Sequence, residues 1–166
     1  MPAIRFIRSP RKVVRYTPIL RELKGLLFNT SNTFSVVKGI PTLTDPSGPQ
    51  RFPCLEAVLG TRVSIHECVV EVTDRAGDLH QFLVACQNGL GLSRNRAVQR
   101  LLPPTMADWD GSIVVLKIGL VKAYVSMTTP DRVLAEEAVS KFFQACVISD
   151  ELDVFNAPIR ILPHTA

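Results

Sequence analysis

The sequence predicts an α+β domain, a two-layer sandwich in which a mainly antiparallel sheet of about four strands carries its helices on one face. Three stretches support this reading. Thr61 to Asn88 reads as two strands around a tight turn, Ser112 to Met127 repeats that pattern around Gly119-Leu120, and the segment opened by Thr129-Pro130-Asp131 has helical apolar spacing. A shorter helix between the hairpins gives the order hairpin, helix, hairpin, helix. The simplest packing for that order is one helix layer on the apolar side of an antiparallel sheet.

The first hairpin is the best specified. Asp74-Arg75-Ala76-Gly77 places Asp at the start of a type I turn and Gly where a left-handed residue closes a three-residue loop. Asp74 then faces Asp78, and Val72 pairs with His80, Val70 with Phe82, Cys68 with Val84 and His66 with Cys86. One face collects His66, Cys68, Val70, Val72, Phe82, Val84 and Cys86; the other carries Glu67, Glu71, Thr73, Gln81 and Gln87. A two-residue loop would set Glu71 beside Phe82 and mix the faces, so the hydrophobic pattern selects the same register as the turn.

Around this hairpin the chain divides into residues 1–50, a basic N-terminal arm with a short helix and a Pro-rich linker, and residues 51–166, the α+β domain. Pro2 and Pro10 argue against a continuous helix in the arm. Thr17-Pro18 is a helix start ahead of Ile19, Leu20, Leu23, Leu26 and Leu27, with Gly25 weakening the helix before Asn29. The prolines at 41, 46, 49 and 53 mark a linker with at most one short strand near Phe34–Val37. Leu55 to Leu59 makes one or two helical turns stopped by Gly60, and a helix of about two turns covers Arg94 to Leu102 before Pro103-Pro104. Trp109-Asp110-Gly111 is a turn. In the second hairpin Gly119-Leu120 suits a type II′ loop, which sets Lys117, Lys122 and Tyr124 on the face opposite Val114, Leu116 and Ile118. The last helix carries Val133, Leu134, Ala138, Val139, Phe142 and Phe143 on one side and runs to about Cys146. Val154 to Leu162 would make a final edge strand, kept from a sheet interior by Pro158.

With 166 residues and 46% hydrophobic content, the chain is long enough to bury a core without disulfides or metal. It contains no apolar run near the ~20 residues of a membrane helix, which argues against a membrane partner. Four widely spaced cysteines and no secretory h-region point to a reducing, intracellular setting, cytoplasmic or nuclear. Charge is uneven. Residues 1–24 hold seven Lys or Arg against Glu22, a net of +6, so the remainder of a chain with overall net charge +4 is −2.

Four groups of residues carry candidate chemistry. Arg5, Arg8, Arg11, Lys12 and Arg15 in the arm suit nucleic-acid phosphates, an acidic protein surface or nuclear import, and the lack of acids before Glu22 also fits a mitochondrial presequence. Arg94, Arg96 and Arg100 follow the glycine-rich Gly89 to Ser93, where a strand running into a helix N-terminus would offer backbone donors to an anion. The dinucleotide fingerprint would require Gly in place of Arg94. Lys117 and Lys122, as cross-strand neighbours beside Tyr124, would extend a nucleic-acid surface. His66, Cys68 and Cys86 converge in the hairpin register as N/S metal ligands, but core packing explains them better, since no CxxC or HxxxH accompanies them.

No paired carboxylates, nucleophile–base pattern or cofactor motif emerges. The reading is therefore a non-enzymatic interaction module that binds nucleic acid or an acidic protein surface through its basic arm. The alternatives are a small enzyme acting on a phosphate-bearing substrate through Gly89 to Arg100, and a structural protein that self-associates through its C-terminal strand.

Overall fold

The computed structural model describes residues 21–44, 51–60, 64–88, 91–104, 109–121 and 123–148. In chain order the elements are β1 (Arg21–Phe28), β2 (Val36–Thr44), β3 (Arg51–Pro53), α1 (Glu56–Leu59), β4 (Ser64–Thr73), β5 (Leu79–Asn88), α2 (Arg96–Gln99), β6 (Ile113–Ile118), β7 (Tyr124–Val125) and α3 (Asp131–Ile148). The strands form one antiparallel sheet in the order β3-β2-β1-β6-β5-β4, curled as a half-barrel, with β7 joined to β6 where β1 leaves it.

This corrects the four-stranded sandwich with alternating helices: among the described residues the sheet has seven strands and α3 is the one long helix. Three physical causes account for the difference. First, the apolar run read as a helix from Ile19 to Asn29 contains β1, in which Leu23, Leu26, Leu27 and Phe28 are all buried. A strand covered on both faces loses its alternation, and its spacing imitates a helix. Gly25 permits the close approach this needs, since a Cβ there would lie 2.8 Å from Leu116 Cδ2 and 3.0 Å from the Val115 carbonyl oxygen. Second, the proline-rich linker contains β2 and β3, with Pro41 accommodated in β2 and Pro53 at the end of a three-residue edge strand. Third, the helix expected over Arg94 to Leu102 shrinks to the four residues of α2.

The β4–β5 hairpin matches its expected register pair for pair, from His66 with Cys86 to Val72 with His80. Asp74 sets the turn. Its backbone N–H donates to the Asp78 carbonyl at 2.9 Å, its Oδ1 accepts from the Ala76 and Asp78 N–H groups at 2.9 Å each, and Gly77 takes a φ of 92°. The His80 ring nitrogen lies 3.1 Å from Asp74 Oδ2. That hydrogen bond, followed by the backbone donors, holds the Asp74 carboxyl below the usual carboxylate range.

The second hairpin closes differently. Lys117 pairs with Val125 and Ile118 with Tyr124, so the loop is the five residues from Gly119 to Ala123, with the Gly119 N–H donating to the Ala123 carbonyl at 2.7 Å. This register moves Tyr124 to the other face, whereas Lys117 stays opposite Val114, Leu116 and Ile118 as expected. Val114, Leu116, Ile118 and Tyr124 lie together, while Lys117 points to α3.

Both sides of the central sheet are apolar. On one side, Leu26, Phe28, Val72, Phe82, Val84, Cys86, Ile113 and Val115 pack against Ala135, Ala138, Val139 and Phe143 of α3. On the other, Leu27, Ile40, Leu83, Ala85, Val114 and Leu116 pack under Leu55 and Leu59 around α1. The side of the first hairpin read as polar thus contains the second core, through Leu83 and Ala85. The expected start of α3 is borne out, although Val133 is exposed. The Asp131 carboxylate caps the entry to it: its Oδ2 accepts from both the Thr128 N–H and hydroxyl at 2.7 Å. The expected C-terminal strand, Val154 to Leu162, lies outside the described residues.

Candidate functional site

Three local structures meet at one cleft. The turn after β1 is organised by Asn29, whose Oδ1 accepts from the Ser31 N–H at 3.2 Å while the Asn29 carbonyl accepts from the Asn32 N–H at 3.1 Å. This delivers Phe34 and Ser35 to the start of β2. The single turn of α2 is fixed by Asn95, which is fully buried: its Oδ1 accepts from the Val98 N–H at 3.1 Å, and its Nδ2 donates to the Phe28 and Gly111 carbonyls at 2.9 and 2.8 Å. The first turns of α3 supply the third wall. Their position is pinned to β6 by the Lys117–Asp131 ion pair at 2.5 Å.

Between these walls lies a cleft of about 320 Å³ with an apolar floor of Phe28, Ala97 and Leu101. Its polar side is a closed network. Glu136 Oε1 accepts from the Ser35 hydroxyl at 2.7 Å and from Arg132 Nε at 3.2 Å, while Arg132 Nη2 donates to the Ser35 carbonyl and Oγ at 3.1 and 3.0 Å. Arg100 differs. Its guanidinium carbon sits 4.1 Å from the centroid of the Phe34 ring, which is 58% exposed, and among the described residues it has no acidic partner. The cleft therefore combines an apolar base, an Arg–Glu–Ser network and, over an aromatic rim, a cation with no acidic partner among the described residues.

Of the residues singled out from sequence, Arg100 lines this cleft. Arg5, Arg8, Arg11, Lys12, Arg15 and Lys122 lie outside the described residues. Arg94 is exposed and forms an isolated backbone bridge with Asp110, and Arg96 is exposed at the first position of α2. The expected anion cradle at this helix start meets a single turn whose Val98 N–H is already capped by Asn95. Lys117 is engaged with Asp131 on the α3 side of the sheet, away from the exposed nucleic-acid face expected for it. Tyr124 packs in the second core, where burial, and secondarily Glu67, raises its hydroxyl pKa, so it offers no stacking platform.

The register brings His66 opposite Cys86 as expected, but Cys86 is buried in the α3-side core, and half-buried Cys68 directs its thiol to the Val69 carbonyl at 3.7 Å. Burial pushes the Cys68 thiol pKa up, which favours the protonated form. Among the described residues, no group of three or more His, Cys, Asp or Glu is arranged to hold a metal ion. Glu67 has its pKa raised by burial and then by Glu56.

The sequence does not mark Phe34, Ser35, Arg132 or Glu136 as site residues. The i, i+4 spacing of Arg132 and Glu136 on α3 was a legible signal for their ion pair. Nothing local predicted that Ser35, about a hundred positions earlier, would join it.

No family model matches this chain, and no curated protein or solved structure matches it either.

Proposed function

We propose that this protein is a non-enzymatic interaction module that binds nucleic acid through the basic residues preceding β1. The observation that carries the reading is the charge asymmetry: net +6 over residues 1–24 against −2 for everything after them. A cationic segment joined to a weakly anionic body binds phosphates by releasing their counterions, while the body contributes little long-range attraction of its own. The segment leads into β1, which is held between β2 and β6, so a ligand bound to it is tethered to the middle of the sheet. The wide spacing of Cys54, Cys68, Cys86 and Cys146 along the chain favours an intracellular workplace, cytoplasmic or nuclear. No helix among the described residues is long and apolar enough to cross a membrane.

The test is binding to a fluorescent single-stranded oligonucleotide as salt is varied. If Arg5, Arg8, Arg11, Lys12 and Arg15 all engage phosphates, the slope of log K against log salt approaches about −3.5, and deleting residues 1–16 abolishes that dependence. Absent or salt-independent binding, or an unchanged slope after deletion, overturns the proposal. Salt-dependent binding to polyglutamate but not to oligonucleotide assigns the segment to an acidic protein surface instead.

A further inference from the structure

We propose that the cleft between the β1–β2 turn, α2 and α3 is a binding site for a small carboxylic acid with an apolar body, independent of the basic N-terminal segment. Size comes first. At about 320 Å³ the cleft lies at the lower end of the range for small-molecule sites, and its floor of Phe28, Ala97 and Leu101 is apolar, as such sites usually are. It suits a compact apolar group better than a folded surface or a nucleic-acid chain.

Charge defines the head group. Arg132 and Glu136 neutralise each other and are locked by Ser35, which leaves the Arg100 guanidinium to define the anion specificity of the rim. One arginine fork matches one carboxylate in bidentate geometry. Glu136 makes the selection sharper: a phosphate monoester dianion would bring a second negative charge into a cleft that already holds a carboxylate, whereas a monoanion balances Arg100 alone. Phe34 positions the fork. By stacking on the guanidinium it restricts Arg100 to the cleft mouth, so less side-chain freedom is lost when the acid binds. Its exposed ring also offers an apolar contact to the body of the ligand.

Hydrocinnamate carries the required carboxylate and a compact aromatic body, and it can be titrated into the intact protein while amide shifts are followed by NMR. Saturable shifts should centre on residues around Phe34, Ala97, Arg100 and Val133. Hydrocinnamamide, which lacks the charge, should bind at least tenfold more weakly, as should phenyl phosphate. Arg100→Gln should weaken hydrocinnamate binding at least tenfold, while Arg96→Gln, one turn earlier at the start of α2 and outside the cleft, should leave it unchanged. Glu136→Gln retains an acceptor for Ser35 and Arg132 and should narrow the difference between hydrocinnamate and phenyl phosphate. The exposure of Arg100 makes loss of folding in its variant avoidable, and the amide spectrum reports folding in the same experiment. No saturable binding, binding insensitive to Arg100→Gln, or equal affinity for acid and amide would overturn the assignment.

Discussion

Asn95 shows how much one side chain can organise. It is a buried polar residue whose amide oxygen caps α2 and whose amide nitrogen joins the end of β1 to the turn before β6. Replacing it with Ala strands two carbonyls and one N–H in the interior, at about 1 to 3 kcal/mol for an unsatisfied buried group. Asn95→Ala should therefore cost about 3 kcal/mol in chemical denaturation, and a loss below about 1 kcal/mol would show that water replaces these bonds. Asn95→Asp keeps the cap but turns two donor contacts into carboxylate facing carbonyl, and should be no milder. In the sequence, Asn95 was indistinguishable from any polar residue near a helix start. Its capping role was compatible with that position, but its two carbonyl partners are distant in sequence and only the fold reveals them. Arg100 was legible as a cation, yet the Phe34 ring beneath it was not.

Elements were legible where local chemistry and face pattern agreed. The β4–β5 hairpin could be registered because turn residues and alternation independently selected one loop length. The loop after β6 had only one of those constraints, and its five residues escaped a two-residue reading. β1 failed for the opposite reason: from Gly25 to Phe28 both its faces are buried, so its alternation stops after Lys24 and the apolar run imitates a helix. At α3 the cap gives a measurable consequence. Burial raises the Asp131 pKa, but the hydrogen bonds from Lys117 and Thr128 outweigh it and bring the carboxyl below its ordinary range. A folded-state pKa below the unfolded one means that the ionised pair stabilises the fold above the usual carboxylate range and loses that contribution as pH falls through the lowered pKa. Asp131→Asn should thus cost about 2 kcal/mol near neutrality, and the difference from the parent should shrink on acidification. A pH-independent difference in urea midpoints would assign the residue a purely steric role.

For the whole molecule, the decisive feature is that the middle of the sheet is covered on both sides. The sequence revealed the α3-side apolar face of the first hairpin, but not that Leu83, Ala85, Val114 and Leu116 build a second core beneath α1. An antiparallel sheet was expected to turn one side to water, and that expectation hid the added strands. Native-state hydrogen exchange should distinguish the layers: central amides of β5 and β6, paired along both edges, should be slowest, and those of β3 and the outer edge of β4 fastest. Protection in β4 equal to that in β6 would contradict its place as an outermost strand among the described residues.

The place of β1 has a further consequence, in time rather than in space. Its partner Val36 follows Leu27 closely along the chain, but Val115, which pairs with Leu26, is synthesised roughly ninety residues later. A nascent β1–β2 ribbon therefore has no β6 to cover its second edge until most of the chain has emerged, and the closing contact bears the loop entropy of all that lies between. Completion of the half-barrel is a high-contact-order event, and the apolar edge presented by Leu26 and Phe28 is the part of the nascent chain that most needs shelter until then.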